Sequence, residues 1–151
     1  MTICTHNRKS LFGQISDGGM LLDEFGEIAR DEWIRTPQIR GNAILDEYVI
    51  MPNHLHGIVV ISQKWGVSQC ASTGKFRSPS QSIGAIIRGY KGAVTKQINQ
   101  MRKSSGLPVW QRNYWEHVIR NEKELNKARE YIRNNPLKWE LDRENPANMR
   151  R

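Results

Sequence analysis

Two β-rich runs, Ala43 to Ile50 and His54 to Ile61, are separated only by Met51-Pro52-Asn53, and this feature restricts the fold more than any other. A connection so short joins antiparallel neighbours, because a parallel crossover needs roughly a dozen residues or more. The middle of the chain is therefore predicted to be a tight β-hairpin, and the rest of the chain must pack around it.

Thr2 to Thr5 reads as a further short strand, and Asp17-Gly18-Gly19 is a turn signal between Ile15 and Met20-Leu21-Leu22. Asp23 is placed to cap a helix on which Phe25, Ile28, Ala29 and Trp33 recur at helical spacing, and that helix is expected to stop before Pro37. Ser62 to Ser80 is rich in Ser, Gly, Gln and Lys without periodicity and reads as a long mobile loop. Ser80 or Ser82 opens a second helix with Ile83, Ile86, Ile87, Tyr90, Val94, Ile98 and Met101 in one apolar stripe. Arg88, Lys91, Lys96 and Arg102 fall largely off that stripe, as a solvated face or as contacts to a polyanion.

After Pro108 comes an aromatic block, Val109 to Ile119, expected to be strand in part. A third helix starts at Asn121, with Glu124 three residues on in the manner of a capping box, and cannot pass Pro136. The order β, α, β, β, α, β, α contains no repeat. It predicts an α+β sandwich with a ferredoxin-like antiparallel sheet in a single domain spanning residues 1–151.

Hydrophobic residues make up 38% of the chain, enough for one modest core. Lys and Arg number 23 against 15 Asp and Glu, and the net charge of +8 favours a polyanionic partner such as nucleic acid, although solvated lysines give the same balance. Cys4 and Cys70 form no Cys-x-x-Cys spacing, so neither a zinc ribbon nor a disulfide framework is expected. No apolar run approaches the roughly 18 residues of a membrane span, and the first residues do not resemble a signal peptide. A cytoplasmic, nucleoid-associated protein without a membrane partner is the expectation.

The chemistry is concentrated in His54-Leu55-His56, because residues two apart on a strand project from the same face and two imidazoles can converge on one ion. By itself the pattern is weak and reads first as a structural or solvated pair. On the third helix Tyr131 and Asn135 are four residues apart and share a face if the helix survives that far, which Pro136 disfavours. Tyr131 taken alone reads as a packing tyrosine.

Three blocks of sequence change that weighting: Tyr48 to Val59 with Pro52-Asn53-His54-Leu55-His56-Gly57, Trp110 to Arg120, and Tyr131-Ile132-Arg133-Asn134-Asn135-Pro136. In content and order they resemble the REP-associated tyrosine transposases, relatives of the transposases of the smallest bacterial insertion sequences within the HUH superfamily. The resemblance implies helices on one face of a ferredoxin-like sheet and a nucleophile-bearing helix brought over a metal site. It implies a divalent metal, Mg²⁺ or Mn²⁺, at His54 and His56 with Asn135 as third ligand. Tyr131 is implied as the nucleophile that forms a 5′-phosphotyrosine bond and releases a 3′-hydroxyl, with no nucleotide cofactor. The implied partner is single-stranded DNA beside a palindromic hairpin. Members usually carry residues before the first strand, whereas Met1 already lies in it, so a truncated start is also expected.

On that reading Trp110, Tyr114 and Trp115 are candidates for stacking on unpaired bases, and Arg88, Lys91, Lys96 and Arg112 for following the backbone. A DNA- or RNA-hairpin-binding protein that keeps the fold without cleaving is the alternative, and a hydrolytic metallophosphoesterase is a second.

Overall fold

In the hairpin, β4 (Ala43–Met51) pairs antiparallel with β5 (His54–Ile61), Met51 stands opposite His54, and only Pro52 and Asn53 turn the chain. This computed structural model describes residues 1–62 and 82–150. Other segments satisfy the turn's carbonyls: Pro52 accepts from the N–H groups of Leu11 and Phe12, and Asn53 from Thr5 at 2.8 Å. A register shift between Leu45 and Tyr48 leaves Asp46 and Glu47 in a bulge of β4. On the far side of β5 lies β1 (Thr2–Cys4), giving the sheet order β1-β5-β4.

The aromatic block runs along the outer edge of β1 but forms no regular strand, in contrast to the expectation. Isolated bridges join Thr2 to Trp115 and Thr5 to Trp110, so three steps along β1 are matched against five along the block and a continuous ladder is impossible. Backbone bonds still hold it, with Thr2 N–H to Trp115 at 2.8 Å and Trp115 N–H back to Thr2 at 2.9 Å.

A second, two-stranded sheet is formed by β2 (Gly13–Ser16) and β3 (Gly19–Leu22). Asp17 and Gly18 turn it with φ of 51° and 73°, the doubly left-handed backbone that a two-residue type I′ hairpin needs. Asp23 then caps α1 (Glu24–Ile39), its side chain accepting from Gly26 N–H at 2.9 Å. The helix does not stop before Pro37 as expected. Proline removes only its own N–H bond, and here it falls in the last turn, where Arg40 N–H still reaches Thr36 O at 2.8 Å and closes the end.

Ser82, not Ser80, caps α2 (Ile83–Met101). The expected loop from Ser62 to Ser80 lies, after Ser62, outside the described residues. In α2 the stripe is buried from Ile86 to Ile98, whereas Met101 at its end is exposed. Asn121 caps α3 (Glu122–Arg133) by accepting from Glu124 N–H at 2.9 Å.

The architecture is therefore mixed α+β, with antiparallel sheets and helices packed on them. α1 and α2 cover the sheet face that carries Ile3 and Leu55, where Trp33, Tyr90, Val94, Ile98 and Val109 complete the core. Gly57 is required on that face: a Cβ there would lie 2.7 Å from the ring of fully buried Trp33. α3 packs on β4 and β5 from the opposite face. Among the described residues no helix is long and apolar enough to cross a membrane.

Candidate metal centre and active site

Alternation along β5 sends Leu55 and Gly57 into the helical core and His54, His56 and Ile58 to the α3 face. Both histidines are buried all the same, His54 completely, because α3 and the 3-10 turn Pro136–Leu141 close over them. Trp139 of that turn lies 6.0 Å from His54, centroid to centroid.

Each imidazole is held by its inner nitrogen. Asn53 Oδ1 is 2.8 Å from His54 Nδ1, and the Asn53 amide nitrogen donates to Arg8 O and Glu144 O, so its oxygen must be the atom that faces the ring. His54 Nδ1–H therefore donates, and Nε2 carries the lone pair. Thr2 Oγ1 stands 2.8 Å from His56 Nδ1 and fixes the orientation of that ring, although a hydroxyl, which both donates and accepts, does not by itself select the tautomer. This is the orientation that partners of ligating histidines impose at metal sites.

Three buried polar atoms on this face have no hydrogen-bond partner: His54 Nε2, His56 Nε2 and Asn135 Oδ1. Leaving such groups unpaired costs about 1–3 kcal/mol each. The Asn135 side chain is near enough to act on the His54 imidazole, and the His56 ring lies beside it, 4.5 Å between centroids. Asn135 adopts helical backbone although Pro136 follows, because the chain goes straight on into the 3-10 turn that Pro136 begins. Its amide nitrogen donates to Asp142 Oδ2 at 3.1 Å, which leaves the oxygen for the centre. Asp142 itself is buried, and one ligand atom from each of His54, His56 and Asp142 lies within 4.8 Å of the others. Two imidazoles, an amide oxygen and a carboxylate fit a divalent cation, with the oxygens suiting Mg²⁺ and the mixed set suiting Mn²⁺.

The electrostatics agree with ligands kept neutral. Burial lowers the His54 pKa, against the raising influence of Asp142 and Glu144. Burial first, and then the neighbouring His54, push His56 down to about 2. Tyr131 is half-exposed, with its ring 5.2 Å from that of His56. Its hydroxyl pKa is raised by burial and by the Asp142 carboxylate, while Arg143 and a hydrogen bond from Asn135 pull the other way.

The bulge of β4 fixes the helix that carries this tyrosine. Arg129 pairs with Asp46 at 2.6 Å and Arg133 with Glu47, so ion pairs one turn apart bracket Tyr131. Neither Tyr90 nor Tyr114 is near the histidines in this way. Tyr90 is buried with its hydroxyl donating to Ala29 O, and Tyr114 packs at the edge of the core.

The other candidate residues lie apart from this centre. Trp110 is in the core against Phe12 and Tyr90, with no open face for a base. Lys91 donates to Gln111 O at 2.8 Å and Asn113 O at 3.0 Å, so its ammonium ties α2 to the aromatic block rather than projecting freely. Arg88, Lys91, Arg112 and Tyr114 nevertheless line one shallow cavity of about 380 Å³, and Lys96 is exposed elsewhere on α2.

Thr2, Asn53 and Asp142 escaped the sequence reading. Nothing in a single strand or helix periodicity marks them: Thr2 meets His56 across 54 residues, and Asn53, although next to His54, is oriented toward it by an amide nitrogen anchored on Glu144 O, 91 residues away.

An uncharacterized protein of Haemophilus influenzae is 42% identical over 149 residues, covering 94% of this chain and 81% of that protein. The chain belongs to that protein's family. No protein-family model matches it. Among solved structures, a REP-associated tyrosine transposase bound to a REP hairpin is similar over 91% of this chain at 21% identity, with a TM-score of 0.57. The chain covers 65% of that protein's length, just under two thirds, and the likeness is one of fold.

Proposed function

We propose that the protein is a metal-dependent enzyme that nicks and rejoins single-stranded DNA at hairpin-flanked sites, a transposase of the REP-associated type, with Tyr131 as its nucleophile. The observation that carries this reading is the buried cluster of His54, His56 and Asp142, with His54 Nε2, His56 Nε2 and Asn135 Oδ1 left unpaired, beside the tyrosine whose ring lies against His56. The order of the sheet, with the aromatic block outside β1 and β5 between β1 and β4, supports a ferredoxin-like core. The fold likeness to the transposase supports the same assignment.

A divalent ion held by His54, His56, Asn135 and Asp142 would withdraw charge from the oxygens of the scissile phosphate. The chain's own residues supply the rest. Asn53 holds His54 in the ligating tautomer, Thr2 orients the His56 ring, and Asp46 and Glu47 hold α3 so that Tyr131 stands at the rim. The Tyr131 oxygen bonds to phosphorus as the P–O3′ bond breaks; the phenol gives up its proton and the departing 3′ oxygen takes one up. The phosphotyrosine ester conserves the bond energy, so a free 3′-hydroxyl can reverse the step and join strands.

The test is a denaturing gel of protein mixed with a labelled single strand flanked by a hairpin. A covalent adduct is expected with Mn²⁺ or Mg²⁺, none with EDTA, and none from Tyr131→Phe. Cleavage without an adduct would identify a hydrolytic phosphoesterase, and binding without cleavage a hairpin-binding protein; either result overturns the proposal.

A further inference from the structure

Beside the metal centre the α3 face opens into a cavity of about 580 Å³, within the range of about 300–1,000 Å³ typical of ligand sites. His56, Asn135 and Asp142 form one end of it and Tyr131 stands on its rim. Its walls are largely apolar, with Ile58 from β5 and Ala128 and Ile132 from α3.

Trp115 forms the opposite wall, and the sheet register puts it there. Thr2 pairs with Trp115 on one side and with His56 on the other, and residues paired across antiparallel strands project to the same face. Trp115, Thr2 and His56 therefore form one row, which sets the indole about two strand spacings, roughly 10 Å, from the ligating imidazole. The ring is 56% exposed although the Trp115 backbone is fixed by two bonds to Thr2. His117 stacks against it, 6.1 Å between centroids and 11° from parallel. Lys138 and Arg143 also line the cavity.

A phosphodiester needs cations and the metal ligands; it has no use for an apolar cavity with a half-exposed indole in its wall. A nucleobase does, and bases in a duplex are stacked on one another and cannot enter. We propose that this cavity binds an unpaired nucleobase next to the scissile phosphate, stacked on Trp115, with Lys138 and Arg143 drawing in the adjoining backbone. The inference rests on the single-strand reading above and adds the subsite that would seat the substrate.

Binding is measured in EDTA, so that no cleavage is involved, by fluorescence anisotropy of a labelled single-stranded oligodeoxynucleotide of roughly 8–12 nucleotides. Trp115→Ala is expected to weaken binding roughly 5- to 150-fold, the loss of one stacked base, and Trp115→Phe to retain most of the affinity. An oligonucleotide made abasic at the stacked position should bind the parent protein as weakly as the intact strand binds Trp115→Ala. It should lose little more on that variant. Unchanged affinity in Trp115→Ala with a parental unfolding transition, or an equal loss of affinity for duplex DNA, overturns the inference. The adduct assay on Tyr131 fails or succeeds independently of this result.

Discussion

The two faces of β5 are built from alternate residues of one strand and follow opposite rules. On one face Leu55 and Gly57 meet Trp33 and the apolar sides of α1 and α2, and Tyr90, the buried hydroxyl there, is satisfied by Ala29 O. On the other, His54 and His56 are as well buried, yet each keeps a ring nitrogen with no partner. Burial alone therefore does not mark a core. The core face also leaves the indole N–H groups of Trp33 and Trp110 unpaired, but singly among apolar side chains; what sets the other face apart is that its unpaired atoms belong to two imidazoles clustered with the Asp142 carboxylate, a set organised for something it binds.

This contrast is sharpest if neighbours in sequence are mutated in parallel. His56→Ala should abolish adduct formation while leaving hairpin-DNA binding within about tenfold, since phosphate contacts dominate affinity. Leu55→Ala should do the reverse. It empties a fully buried site and should cost about 2–5 kcal/mol in urea unfolding, with activity per folded molecule retained. Should His56→Ala destabilise the fold as much as Leu55→Ala, the division between the two faces fails.

Gly57→Ala extends the comparison to the core face immediately after His56. The new methyl would meet Trp33 at 2.7 Å, and overpacking of this kind costs about 1–3 kcal/mol. An unfolding midpoint like that of the parent would show that Trp33 can move aside.

Acid should act through the histidine face. His56, held down to about 2, and His54, lowered in the same direction, stay neutral in the folded chain, whereas unfolded histidines protonate around 6.5. Stability is thus complete above pH 6.5 and falls as pH drops below it, by about 1.4 kcal/mol per pH unit for His56, with His54 acting in the same direction. Urea unfolding in EDTA from pH 7 to pH 5 measures this, and His54→Ala combined with His56→Ala should flatten the slope. An equal slope in that double variant would assign the acid sensitivity to other groups.

The smallest effect on stability is expected at Arg133→Ala. Its partner Glu47 is partly exposed, and surface pairs contribute about 0–1 kcal/mol. If the pair positions α3, the rate of adduct formation should fall more than stability does, and pairing Glu47→Arg with Arg133→Glu should restore part of it. Rate and stability that move together would reduce the pair to a structural tie.

The hairpin, the helix caps at Asp23 and Asn121, and the shared face of His54 with His56 were legible in the sequence, the cap of α2 only as a choice between Ser80 and Ser82, and the shared face of Tyr131 with Asn135 only on condition that helical backbone persisted to Pro136. Each depends on spacings of two to four residues, which strand and helix geometry convert directly into direction. Pro37 and the aromatic block show where local rules lost. The last turn of α1 absorbed a proline that local preference placed outside it, and the block from Val109 was held at the sheet edge by backbone bonds without forming a ladder.

Tertiary structure alone decided the remainder. Trp110 and Trp115 lie in one aromatic stretch, yet the first is sealed among Phe12 and Tyr90 and the second stands half-exposed across from the histidines. Asp142 and Thr2 reach the centre from the two ends of the chain. The sequence by itself determined which side chains point together within an element, because that direction is set by backbone periodicity. Which elements then close on the same buried space depends on the sum of long-range contacts, and no local spacing encodes it.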